Sequence, residues 1–255
     1  MNRGEMAVVY FNLFLTLALL IWLWKARLAS VYKLLYLYLS VDFVFTVVGM
    51  VTHDPDRYFL VYGSGQVIKL LVAAFVLVEI YSRSLENTPA LAQYVRNSVA
   101  YILGAAALLP VVILLWDRAP DKSPVLHHFF LFEQTMNGTM AIFLIFLSVF
   151  LAYFPVKLKR NVFYYSSGFI VWALTHAVAV FLASRYVRTD HQSEIVSLVQ
   201  SCVQAACLLY WMAGFRSDGE SRTAVVGHLW SRAEAERLSR QLESINNSLE
   251  RLRKR

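Results

Sequence analysis

Seven runs of roughly twenty apolar residues recur along this chain, each closed by a polar or basic stretch. Such runs leave little choice of fold. Inside a bilayer every backbone N–H and C=O must find a partner within the protein, which admits helices and closed barrels but not open sheets. The runs are too long and too uniformly apolar for barrel strands, which are about ten residues long and alternate in polarity. Only 16% of the 255 residues are charged and 58% are hydrophobic, whereas a soluble domain carries about 25% charged residues. The expected fold is all-α: a polytopic, seven-transmembrane-helix bundle.

The expected spans are Met6–Trp24, Leu34–Thr52, Phe59–Tyr81, Ser98–Trp116, Phe129–Tyr153, Val162–Ser184 and Ile195–Ala213. Trp22, Trp24, Lys25 and Arg27 close the first run as an interfacial anchor, which distinguishes it from a signal peptide. His53–Arg57 reads as a turn. Asp117–His128 and Arg185–Glu194 read as loops, and Lys157–Arg160 as a compact basic loop. Pro89 suits the first turn of a short helix, and Pro110 is placed to kink the fourth span. Residues 1–214 form the expected membrane domain and 215–255 a helical tail.

The net charge of +7 does not indicate nucleic acid, because the basic residues gather at helix ends. Lys25, Arg27, Lys33, Arg83, Arg96, Lys157, Lys159, Arg160 and the tail fall on one side, which the positive-inside rule makes cytoplasmic. Seven spans then put the N-terminus outside. The expected location is the plasma membrane, or the inner membrane of a bacterium, with the lipid bilayer as the first partner. Cys202 and Cys207 are five apart in one run and point to different faces, which predicts free, buried thiols.

Ionisable groups within apolar runs are costly and must face a protein interior. Lys69 lies near the middle of the third run and Asp42 near the middle of the second. At about 1.5 Å of rise per residue the two share a height, so an ion pair is expected. Asn137, His176 and Gln204 lie within one or two turns of that level, and Gln200 and Asn12 somewhat further out. Glu79 and Arg83 form an i,i+4 pair near the basic end. Glu133 falls near the outer border, within reach of water. Asp42, Lys69, Asn137, His176, Gln200 and Gln204 are therefore the candidate polar core. They either fix helix register by bonding to one another or line a ligand pocket.

His53, His127, His128 and His191 lie on the outer side among carboxylates. They come from separate loops without metal-ligand spacing, so solvated loop chemistry is expected in place of a metal site. In the tail, Leu238, Leu242, Ile245, Leu249 and Leu252 recur with 4-3-4-3 spacing, the seam of a short coiled coil. That seam implies a homo-oligomer or a cytoplasmic protein partner. Its apolar stripe on anionic lipid is the alternative.

Seven spans with an outer N-terminus is also the topology of microbial rhodopsins and G-protein-coupled receptors. The seventh run has neither a retinal-binding lysine nor an Asn-Pro pair, and topology alone does not fix function. Neither His-Glu-x-x-His nor Gly-x-Ser-x-Gly occurs, so an enzyme is not expected, and no cofactor is implied. The leading expectation is a sensory or receptor-type protein that binds a small ligand or responds to protonation. An accessory or scaffold subunit and a small-solute or proton transporter are the alternatives.

Overall fold

The computed structural model describes residues 3–52, 54–86, 124–153, 156–185, 190–221, 223–226 and 232–253, together with 93, 97, 101, 102, 104, 105 and 108. The elements are α1 (Arg3–Lys25), α2 (Lys33–Val51), α3 (Pro55–Ser84), α4 (Pro124–Tyr153), β1 (Val156–Lys159), α5 (Arg160–Arg185), α6 (Asp190–Gly214), a 3₁₀ turn (Ser217–Glu220), β2 (Thr223–Val226) and α7 (Arg232–Arg253). Among the described residues, five helical stretches are long and apolar enough to cross a membrane: Met6–Lys25, Lys33–Val51, Val61–Ser84, Arg160–Leu182 and Ile195–Gly214. A shorter apolar stretch, Thr135–Phe150, lies within α4. Most of the fourth expected span lies outside the described residues, as do Pro89, Pro110 and His53.

The helices are longer at their ends than the apolar runs. Pro55 opens α3, within the expected His53–Arg57 turn, because proline at a first helical position loses no hydrogen bond. Likewise α4 begins at Pro124, which draws His127 and His128 into helix, and α6 begins at Asp190 and takes in His191.

The first corner is built from backbone. Arg27 adopts φ 58°, Leu28 N–H reaches Leu23 C=O at 2.9 Å, and Arg27 N–H reaches Trp24 C=O at 3.1 Å. These two bonds and the left-handed residue make a Schellman motif. Leu23 and Leu28, the apolar pair that accompanies it, are both buried. The corner delivers Tyr32 to the bundle interior.

Among the described residues, six helices close a ring. Each of α1 to α6 packs on its neighbours in sequence, α6 returns to α1, and α3 also touches α5 across the middle. Gly65 sets the approach of α3 to α2: a Cβ there would sit 2.6 Å from the Phe45 ring. The core between them includes Leu39, Ala73, Val76, Leu77 and Phe169. Phe14, Phe75, Phe146, Val178 and Val199 point outward and are exposed. Large apolar side chains on the outer surface of several helices are what lipid contact requires. Cys202 is also exposed, contrary to the expectation of two buried thiols. It faces outward on α6, and Cys207, five residues on, faces in.

The region expected as a basic loop is a strand. Val156–Lys159 pairs antiparallel with Thr223–Val226, in the register Val156↔Val226 to Lys159↔Thr223. The early tail therefore holds a 3₁₀ turn and a strand before its helix. In α7, Leu238 and Leu242 are buried within the chain, whereas Ile245 is 46% exposed. The side chains of Leu249 and Leu252 lie outside the described residues.

Candidate functional site

Five helices bring the expected polar core together in two adjoining groups. In the first, Lys69 Nζ of α3 lies 3.2 Å from Asp42 Oδ1 of α2. Gln204 of α6 donates from Nε2 to the other Asp42 oxygen at 3.2 Å. The carboxylate is thus held by two helices on opposite sides. Its side chain is 13% exposed and that of Lys69 24%, because the amine faces a cavity.

That cavity measures about 390 Å³ and lies among the first half of α1, the second half of α2 and the first half of α3. Its walls are largely apolar, with Val9, Phe45 and Val61 among them. Tyr10, Thr46, Tyr62 and Gln66 add hydrogen-bonding groups. An ammonium has three N–H donors. Among the described residues Asp42 takes one, which leaves two for an occupant.

The second group lies one helical turn away on α6. Gln200 Nε2 contacts His176 Nδ1 of α5, and His176 Nε2 lies 3.5 Å from Glu133 Oε1 of α4. Trp172, one turn from His176, stacks on the imidazole with ring centres 5.4 Å apart and planes 7° apart. Glu133 was expected at a watery border. Instead it is buried, because His176 projects toward it from the neighbouring helix. Asn137, one turn along α4, is 2% exposed, and among the described residues neither its Oδ1 nor its Nδ2 has a hydrogen-bond partner. Asn12 donates to Ser201 C=O at 3.0 Å and ties α1 to α6.

A third polar cluster sits at the basic end, beyond the apolar layer of Leu39, Val76, Leu77 and Phe169. The Glu79–Arg83 pair forms as expected, at 3.5 Å, but within a larger network. Tyr165 donates to Glu79 Oε2 at 3.1 Å. Arg83 donates to Val31 C=O and lies over the Tyr32 ring, 4.9 Å from its centre. Tyr32 donates to Glu220 Oε1. Asn161 donates to the same oxygen at 3.2 Å and to Arg216 C=O at 2.8 Å, and accepts from Arg216 N–H at 3.1 Å. Lys159 reaches Glu86 at 2.9 Å and Glu220 at 3.9 Å. Gly219 is required here, since a Cβ would stand 2.0 Å from Asn161 Oδ1. Burial, then the bond to Glu220, pushes the Tyr32 hydroxyl well above the usual tyrosine range. It stays protonated and keeps donating.

Sequence reasoning missed Tyr32, Asn161, Tyr165 and Glu220. Tyr32 and Tyr165 carry no charge to mark them out in an aromatic-rich chain, and Glu220 lies in a polar tail. Glu133 was visible in its span, but its partner on α5 was not. No known protein family, no curated protein and no solved structure matches the chain.

Proposed function

We propose that this is a seven-helix integral membrane protein of sensory or receptor type. It binds a small molecule in the cavity beside Lys69 and signals through the helical tail. The fourth span (Ser98–Trp116) and α4 complete the seven. The basic end is cytoplasmic, the N-terminus lies outside, and the protein resides in the plasma membrane, or the inner membrane of a bacterium.

The observation that carries the reading is the 390 Å³ cavity with a lysine amine in its wall. Small-ligand pockets begin at about 300 Å³ and combine apolar walls with a few convergent polar groups. Asp42 already balances the lysine charge, so the fitting ligand is a largely apolar molecule with a hydrogen-bond-accepting head. The cluster at Glu79 and Arg83 joins α3, which carries Lys69, to the tail residue Glu220 through Tyr32. That supports a route from the cavity to α7. Ile245, exposed on α7, then offers an apolar contact to a second copy or a cytoplasmic protein partner. The accessory-subunit alternative requires an interior without room for an occupant. The transporter alternative requires an opening through the buried layer at Leu39, Leu77 and Phe169.

The test is chemical extraction of the protein purified in mild detergent, followed by mass spectrometry. A retained small molecule is expected from the wild-type protein and not from Lys69→Met or from Thr46→Trp, which fills the cavity. A wild-type protein as empty as both variants argues for the accessory-subunit reading.

A further inference from the structure

We propose that the corner between α1 and α2, together with the end of α6, is a docking surface for a phospholipid with an anionic headgroup. The inference rests on the reading of the chain as membrane-spanning and not on the cavity at Lys69. The residues that carry it are Lys25, Arg27, Lys33 and Arg216, all exposed at the basic end.

The fold brings the four together. Asn12 of α1 and Ser201 of α6 share a hydrogen bond, and Lys25 and Gly214, which end those two helices, lie equally far along from it. The two helix ends therefore stand at one height on neighbouring helices. Across the corner the Tyr32 and Phe215 rings are 5.3 Å apart, so the residues that follow them, Lys33 and Arg216, belong to the same patch. The backbone beneath is fixed. Asn161 binds the Arg216 C=O and N–H at 2.8 and 3.1 Å, and the Schellman bonds hold the corner at Arg27. Arg27 itself stands at φ 58°, where glycine is the ordinary residue. An arginine there bears a conformational penalty that the turn itself does not require.

The charge is not answered from within the chain. The ion pairs at this end go to Arg83 and Lys159, and among the described residues none of the four has a carboxylate partner. Asp218 and Glu220, in the turn after Arg216, are both engaged. The stretches 87–100 and 221–233, which leave this end, contain neither Asp nor Glu, and from Arg232 onward the tail has more basic residues than acidic ones. The positive surplus therefore holds wherever those stretches lie.

Trp22 and Trp24, exposed just before Lys25, put the patch at headgroup depth, since tryptophan settles at the membrane–water border. Basic side chains at that depth draw anionic lipid out of a mixed leaflet, and arginine offers paired donors to phosphate oxygens. Ile21 on α1 and Leu209 on α6, exposed deeper along the same helices, give the acyl chains apolar surface beneath the headgroup. An acidic protein in water would not use that surface.

The experiment is tryptophan quenching of the full chain in vesicles of equal parts phosphatidylglycerol and phosphatidylcholine, with bromine on the acyl chains of one lipid or the other. Brominated phosphatidylglycerol is expected to quench the wild-type protein about twofold more than brominated phosphatidylcholine, as electrostatic enrichment requires. The excess should disappear when Trp22 and Trp24 are both replaced by Phe. It should shrink when Lys25, Lys33 and Arg216 are replaced together by Gln. Arg27→Gly separates binding from folding: it should also shrink the excess while raising Tm, because glycine suits the left-handed corner. Equal quenching by the two lipids would overturn the proposal and leave the patch to an acidic protein. So would an excess that survives the loss of Trp22 and Trp24, or one that neither basic-residue variant alters. Quenching by neither lipid would overturn the membrane-spanning reading itself.

Discussion

The Lys69 level and the basic end are both polar clusters inside an apolar bundle, yet one borders a cavity and the other is knit side chain to side chain. At the basic end, Glu220 is shared by Tyr32, Asn161 and Lys159, and Arg83 is held by Glu79, the Val31 carbonyl and the Tyr32 ring. Around Lys69 the main feature is room: the lysine lines a cavity wall, and Asp42 takes one of the amine's three donors. Among the described residues both levels hold a few buried polar atoms without a hydrogen-bond partner, both amide atoms of Asn137 and Asn12 Oδ1 at one, Arg83 Nε and Ser84 Oγ at the other. What differs is the space beside them: a cavity adjoins the Lys69 level, whereas the basic end is closed by side chains bonded to one another. That contrast, more than the presence of charge, separates a site from a clasp.

The largest expected effect is at Lys69. Replacing Lys69 by Met or Asp42 by Asn strands a charge and should cost about 2 to 3 kcal/mol, below the full buried-pair range because both side chains keep some exposure. The double replacement should cost less than either single one. A thermal-unfolding double-mutant cycle in detergent measures this, and simple additivity would show that the two groups do not depend on each other.

A smaller effect is expected at the clasp. Glu220→Ala removes two hydrogen bonds to a carboxylate and should cost about 1 to 2 kcal/mol, since partners at a closed cluster can partly turn to water. Hydrogen exchange should quicken at residues 217–226 while the Lys69 level keeps its protection. Unchanged protection there would mean that the strand pair alone fastens the tail.

The smallest effect compares two glycines in α3. Gly65→Ala drives a methyl into the Phe45 ring, whereas Gly63 has open space around its Cβ position. Gly63→Ala should stabilise by about 0.5 kcal/mol or a little more through helix propensity. Gly65→Ala should destabilise and shrink the cavity. Equal shifts in melting temperature would show that α2 and α3 do not meet closely at Phe45.

Sequence periodicity revealed the apolar helices because twenty-residue runs have few alternative readings. The Asp42–Lys69 pair was legible for a related reason. Two opposite charges at equal depth on consecutive helices joined by a short turn are forced together. Glu133–His176 was not legible, since depth along a helix does not say which way a side chain turns, and only α4–α5 packing settles that. The strand Val156–Lys159 escaped notice because its partner lies more than sixty residues on and four residues make no pattern. Glu220 escaped because a lone carboxylate in a polar stretch looks solvated until Tyr32 is found above it.

The closure of the ring by α6 against α1 also dictates an order of assembly during synthesis. Asn12 finds its acceptor at Ser201, 189 residues later, and Asp42 receives its second donor only when Gln204 has been made. Until α6 is made, the Asn12 amide lacks the acceptor it has in the finished fold. A chain cut short before Ser201 would leave Asn12 and Asp42 each without one of these bonds.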